Sequence, residues 1–84
     1  MGSITKKITK SERKYNFIRL PKGSADLPIG RIKIEYRGNL YDGYYGTYDR
    51  IYAKGLMGEI LKLKEGDTIR ITLLPKKVVK IEKI

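Results

Sequence analysis

Apolar and polar positions alternate most strictly over residues 31–37. There Ile32, Ile34 and Tyr36 fall on one side and Arg31, Lys33, Glu35 and Arg37 on the other. A period of two is the mark of a half-buried strand. Gly38-Asn39 follows as a two-residue turn signal of the kind that needs positive φ. A return strand is expected over residues 40–48. That register places Tyr36 opposite Tyr41, Ile34 opposite Gly43 and Ile32 opposite Tyr45. It turns Tyr44 and Tyr48 outward beside Lys33, and it sets Glu35 against Asp42, an unfavourable pairing of like charges. The glycines at 43 and 46 are candidate bulge positions.

The same reading extends to both ends. Residues 15–20 are aromatic and β-branched, and predict a strand that Pro21 stops, since proline cannot donate to a ladder. Residues 22–30 are rich in turn formers and read as a loop. Residues 49–62 lose the alternation. Leu56, Met57, Ile60 and Leu61 instead fall at helical spacing, which predicts a short helix over 53–62 weakened by Gly55 and Gly58. Residues 68–73 and 78–84 alternate again, joined by a turn with Pro75 at its second position. Residues 1–14 carry only isolated apolar side chains and read as a flexible basic arm, with an edge strand at 4–8. The expectation is one mainly β domain over 15–84, a small barrel or pseudobarrel of about five strands with one short helix.

Composition narrows the chemistry. The 84 residues include no cysteine and no histidine, which removes disulfides, thiolate nucleophiles, the commonest zinc ligands and the usual neutral-pH general base. No apolar run is long enough to span a membrane, and the basic N-terminus lacks the apolar core of a secretory signal. No enzyme activity, metal or other cofactor is expected, because Asp42, Asp49 and Glu59 lack a recognisable ligand spacing and no phosphate-cradling glycine motif is present. Glutamine is absent and lysine, isoleucine and glutamate are abundant, a bias that points to a thermophilic, archaeal cytoplasm.

Charge adds the partner. The net charge is +10, from 19 basic and 9 acidic residues. Residues 1–22 contribute +6, residues 23–59 nothing and residues 60–84 +4. A field of this size attracts polyanions. The candidate nucleic-acid contacts are therefore Lys6, Lys7, Lys10, Arg13 and Lys14 in the arm, Arg19 and Lys22 after the first strand, and Arg70, Lys76, Lys77 and Lys80 in the last hairpin. The lysines supply phosphate attraction, and the arginines Arg13, Arg19 and Arg70 can also grip a base edge at two points. The alternatives are a solvated tail at the N-terminus and lysine protection of an edge strand at the C-terminus. Six tyrosines lie between positions 36 and 52. Tyr44 and Tyr48 are candidates for stacking on unpaired bases or for a protein interface; packing inside the hairpin and at a subunit contact is the competing account.

Two segments carry a resemblance. Leu20-Pro21-Lys22 after a basic strand, and Leu63-Lys64-Glu65-Gly66-Asp67 before a strand, resemble elements of the AbrB/SpoVT-type regulators and related cradle-loop barrels. The hairpin between them resembles more the self-contained pseudobarrel DNA-recognition domains of plant transcription factors and some restriction enzymes. The resemblance implies a DNA-binding regulator or chromatin-like module, with contacts from Arg13, Lys14, Arg19 and Lys22. The expected partner is nucleic acid, DNA over RNA, with a homodimer as a further candidate. An RNA or single-strand binder, and an antitoxin-like or viral accessory interaction module, are the rival readings.

Overall fold

A computed structural model describes residues 3–23 and 27–84. Its elements are β1 (Ser3–Lys7), α1 (Lys10–Tyr15), β2 (Phe17–Arg19), β3 (Gly30–Tyr36), β4 (Asn39–Gly46), β5 (Arg50–Tyr52), a π-helical turn (Leu56–Ile60), β6 (Thr68–Leu74) and β7 (Val78–Lys83). The seven strands make one curled sheet in the order β1-β6-β7-β3-β4-β5-β2, a half-barrel. Every pairing is antiparallel except β3 with β7. The mainly β, barrel-like class expected from the pattern is the one observed, with seven strands in place of five.

Alternation explains the core. Ile32, Ile34 and Tyr36 of β3 point inward with Ile69 and Ile71 of β6 and Val79 and Ile81 of β7. Ile18 and Ile51 join them from β2 and β5. Leu56, Met57, Leu61 and Leu63 plug the opening of the curl. They come from the segment expected to be a helix over 53–62. It is instead a single wide turn, with Ile60 N–H donating to Gly55 O and Leu61 N–H to Leu56 O across five residues. Gly55 enters it at φ 68°, a left-handed angle that suits glycine. The wide turn aims Leu56, Met57 and Leu61 together into the core, where a regular helix would spread them over more of its surface.

The N-terminal segment is the largest correction. Residues 1–14 are not a flexible arm where described: β1 pairs with β6, and α1 follows within three residues. The helix starts at a capping box. The Thr9 hydroxyl accepts from Glu12 N–H and the Glu12 carboxylate accepts from Thr9 N–H. It ends on Asn16 at φ 59°. The strand expected over 15–20 therefore shortens to three residues, with Leu20 N–H still bonded to Asp49 O.

The β3–β4 hairpin turns one residue earlier than expected. Arg37 and Gly38 take φ 51° and 82°, so Tyr36 faces Asn39 and Ile34 faces Tyr41. The shift is even, so the faces are preserved, but the pairs change. Asp42 now stands opposite Lys33 and forms an ion pair with it, and Glu35 meets Leu40. The like-charge clash disappears in this register, which favours it. Gly43 and Gly46 are not bulges. A Cβ on Gly43 would stand 2.7 Å from Ile34 Cδ1 and 3.1 Å from Tyr52 O, and one on Gly46 would stand 3.0 Å from the Tyr52 ring.

Candidate nucleic-acid interface

On the outer face of β3, β4, β5 and β2, strand register aligns Arg31, Tyr44, Tyr52 and Phe17 in one row across the sheet. The next row holds Gly46, Arg50 and Arg19. Phe17 is buried yet lies outside the main core, because its inward neighbour is Ile18. The Arg50 guanidinium covers it at 4.7 Å from the ring centre and also lies 5.6 Å from the ring of Tyr48. Tyr52 packs against Phe17 at a centroid separation of 6.1 Å. The result is an aromatic face interleaved with arginines.

This face floors two open hollows of about 930 and 980 Å³ that meet at Tyr15 and Tyr52. The first lies between α1 and the β2–β5 strands, with Arg19, Lys22 and Arg50 in its wall. The second reaches from Arg31 and Tyr44 to Lys54 and to the β6–β7 tip, Lys76 and Lys77. Nine cationic side chains and two carboxylates line the pair, net +7. Both carboxylates are neutralised locally, Glu12 by Lys6 and Asp42 by Lys33. The Lys33 ammonium, by hydrogen bond and charge, holds the Asp42 carboxyl below its ordinary 3.8. Seven cations therefore have no ion-pair partner among the described residues.

The candidates from sequence divide accordingly. Arg19, Lys22, Lys76, Lys77 and Tyr44 line the hollows. Tyr48 stands beside them, 72% exposed, on a left-handed turn between β4 and β5. Lys6 is in the wall but is committed to Glu12 and to Arg19 O. Arg13 is tied down by an Nε–H bond of 2.8 Å to Leu63 O, and Lys14 lies 5.3 Å from the Tyr15 ring. Lys7, Arg70 and Lys80 belong to the β1–β6–β7 part of the sheet, and they and Lys10 stand outside both hollows. Arg70 faces Glu82 across β7.

Arg31, Arg50, Lys54, Tyr15 and Tyr52 were not among the expected contacts. All but Tyr15 sit in residues 23–59, whose charges sum to zero. The sum hid the face because Asp42 is paired with Lys33, and Asp49 accepts a hydrogen bond from the Tyr45 hydroxyl. The alternation of β3 was the available signal, since it already set Arg31 outward.

No family model matches the chain, and no curated protein does. Among solved structures, the N-terminal domain of Helicobacter pylori LlaJI.R1 superposes with a TM-score of 0.71 over 100% of this chain and 88% of that one, at 15% identity. At that identity the likeness is one of fold. No helix of the described residues is long and apolar enough to cross a membrane, and no group of three or more acidic side chains among them is placed to hold a metal ion.

Proposed function

We propose that this protein is a nucleic-acid-binding module that grips duplex DNA with the arginine–aromatic face of β2, β5, β4 and β3. One observation carries the reading: seven cations without an ion-pair partner among the described residues, from four stretches of the chain, converge on two adjoining open hollows that together make one groove-like face. A soluble protein has no reason of stability to gather like charges, whereas a polyanion releases its own counterions on filling such a groove. Arginine and lysine on the groove walls suit two phosphate tracks, and Arg31 on the floor can reach a base edge. The resemblance to pseudobarrel DNA-recognition domains points the same way. The role is binding rather than turnover.

The test is fluorescence anisotropy of labelled duplex DNA, single-stranded DNA and RNA over a salt series. Duplex binding is expected to be tightest and to weaken steeply with salt. The double variant Lys76→Ala/Lys77→Ala should lower the slope of log K against log salt by roughly two. The variant Arg70→Ala, outside the groove, should leave it unchanged. Equal effects from both variants, or no binding at low salt, would sink the proposal. A single-strand reading rests on the exposure of Tyr44 and Tyr48, 46% and 72%. It predicts that Tyr44→Ala and Tyr48→Ala abolish binding to single strands, as stacking platforms do.

A further inference from the structure

Arg19 and Arg50 face one another across β2 and β5. Like charges directly opposite on a sheet repel, and among the described residues neither has a carboxylate as ion-pair partner. Glu12, the carboxylate beside Arg19, already accepts from Lys6 Nζ, Thr9 N–H and the Arg19 main-chain N–H. Asp49, next to Arg50 in sequence, is bonded to Tyr45. Among the described residues no acid is left for either guanidinium.

Arg50 is also held in place. Its guanidinium lies over Phe17 and Tyr48, two aromatic contacts that hold the cation in place. Its Nε is buried and has no hydrogen-bond partner among the described residues. A donor left unmet in an otherwise well-bonded fold marks Arg50 as a side chain whose polar end the fold itself does not satisfy. Lys22 stands in the same wall of the same hollow.

We infer that Arg19 and Arg50 form one oxyanion site that takes a phosphate group, with Arg50 held in place by the rings beneath it. The inference rests on the duplex-binding reading above and gives that groove its anchoring contact. Paired guanidinium groups suit phosphate because several N–H donors can meet its oxygens at once. The phosphate can be a backbone phosphodiester or a terminal 5′-phosphate.

The experiment follows the arginine Nε–Hε signals of the full chain by nitrogen–proton NMR, with three probes: inorganic phosphate, a duplex lacking 5′-phosphates and the same duplex bearing them. The Arg50 signal is expected to move with both duplexes alike, which assigns the backbone as source. Movement only with the phosphorylated duplex and with inorganic phosphate supports the site but assigns it to a strand end. Arg19→Gln, at an exposed position, should weaken duplex binding on the order of tenfold and lower the salt slope by about one. Arg50→Lys keeps the charge and should weaken binding comparably with the slope unchanged. Duplex binding with an unmoved Arg50 signal and wild-type affinity in both variants overturns the site and leaves the duplex reading standing. Phosphate binding without duplex binding does the reverse. A signal unmoved by any probe, with no duplex bound, overturns both.

Discussion

Glu12 is 2% exposed and is the one buried charged residue among those described. Its carboxylate caps α1, pairs with Lys6 of β1 and accepts the N–H of Arg19 in β2 at 2.7 Å. One side chain thus spans the gap between the two edge strands of the half-barrel. Removing it leaves two amides without acceptors and a half-buried ammonium with only the Arg19 carbonyl, so Glu12→Ala should cost about 3 kcal/mol in urea unfolding. A loss under about 1 kcal/mol would show that the carboxylate does not clasp the edges. Tyr45 provides a second test. Burial, then its hydrogen bond to Asp49, then that carboxylate's charge push its phenol from 10.0 to about 12. The folded state thus holds a proton that the unfolded chain releases near pH 10. The stability tied to it is intact below pH 10 and lost as pH rises toward 12, on the order of 2 kcal/mol in all. Tyr45→Phe should flatten that part of the pH–stability curve, and an unchanged curve would assign the alkaline loss to other groups.

At the level of elements, the two hairpin partnerships were legible and the pairings distant in sequence were not. Hydrophobic alternation marks β3 and β6, each with three apolar repeats, and β7 with two, Val79 and Ile81. β5 has only Arg50, Ile51 and Tyr52, too short for a period to emerge. The helix α1 was missed in the polar arm, although Thr9-x-x-Glu12 carries the capping-box spacing that could have marked it. The hairpin register depended on whether Arg37-Gly38 or Gly38-Asn39 made the turn; Arg37-Gly38 makes it, and that choice sets Asp42 against Lys33 in place of Glu35. Gly43 tests that register: Gly43→Ala drives a methyl against Ile34 and the Tyr52 carbonyl and should destabilise by roughly 1–3 kcal/mol, whereas a slipped hairpin would tolerate it. The β6–β7 loop carries a different tension. Lys76 and Lys77 both sit at left-handed angles, φ 64° and 60°, which lysine adopts at a cost of about 1 kcal/mol each. Lys77→Gly should raise stability by that order while weakening duplex binding. A gain in both would break the link between the strained loop and the groove.

The whole molecule measures 28 × 26 × 21 Å. One turn of B-DNA is roughly 34 Å long, so one copy covers less than a turn. Saturation with short duplexes should accordingly show one protein per roughly 8–10 base pairs, and a markedly larger footprint would mean that several copies bind together. Folding should be slow for a chain this short. β1 pairs with β6 and β3 runs parallel to β7, and such distant pairings must close before they stabilise anything, which places refolding in the millisecond-to-second range by stopped flow. The main-chain bond from Lys33 N–H to Lys77 O, 2.9 Å long, fastens the β6–β7 tip to the strand that carries Arg31. A groove whose far wall is already bolted to its floor has little left to arrange when a ligand arrives. Its association should therefore draw on the entropy of liberated ions more than on heat, with a small change in heat capacity in the calorimeter.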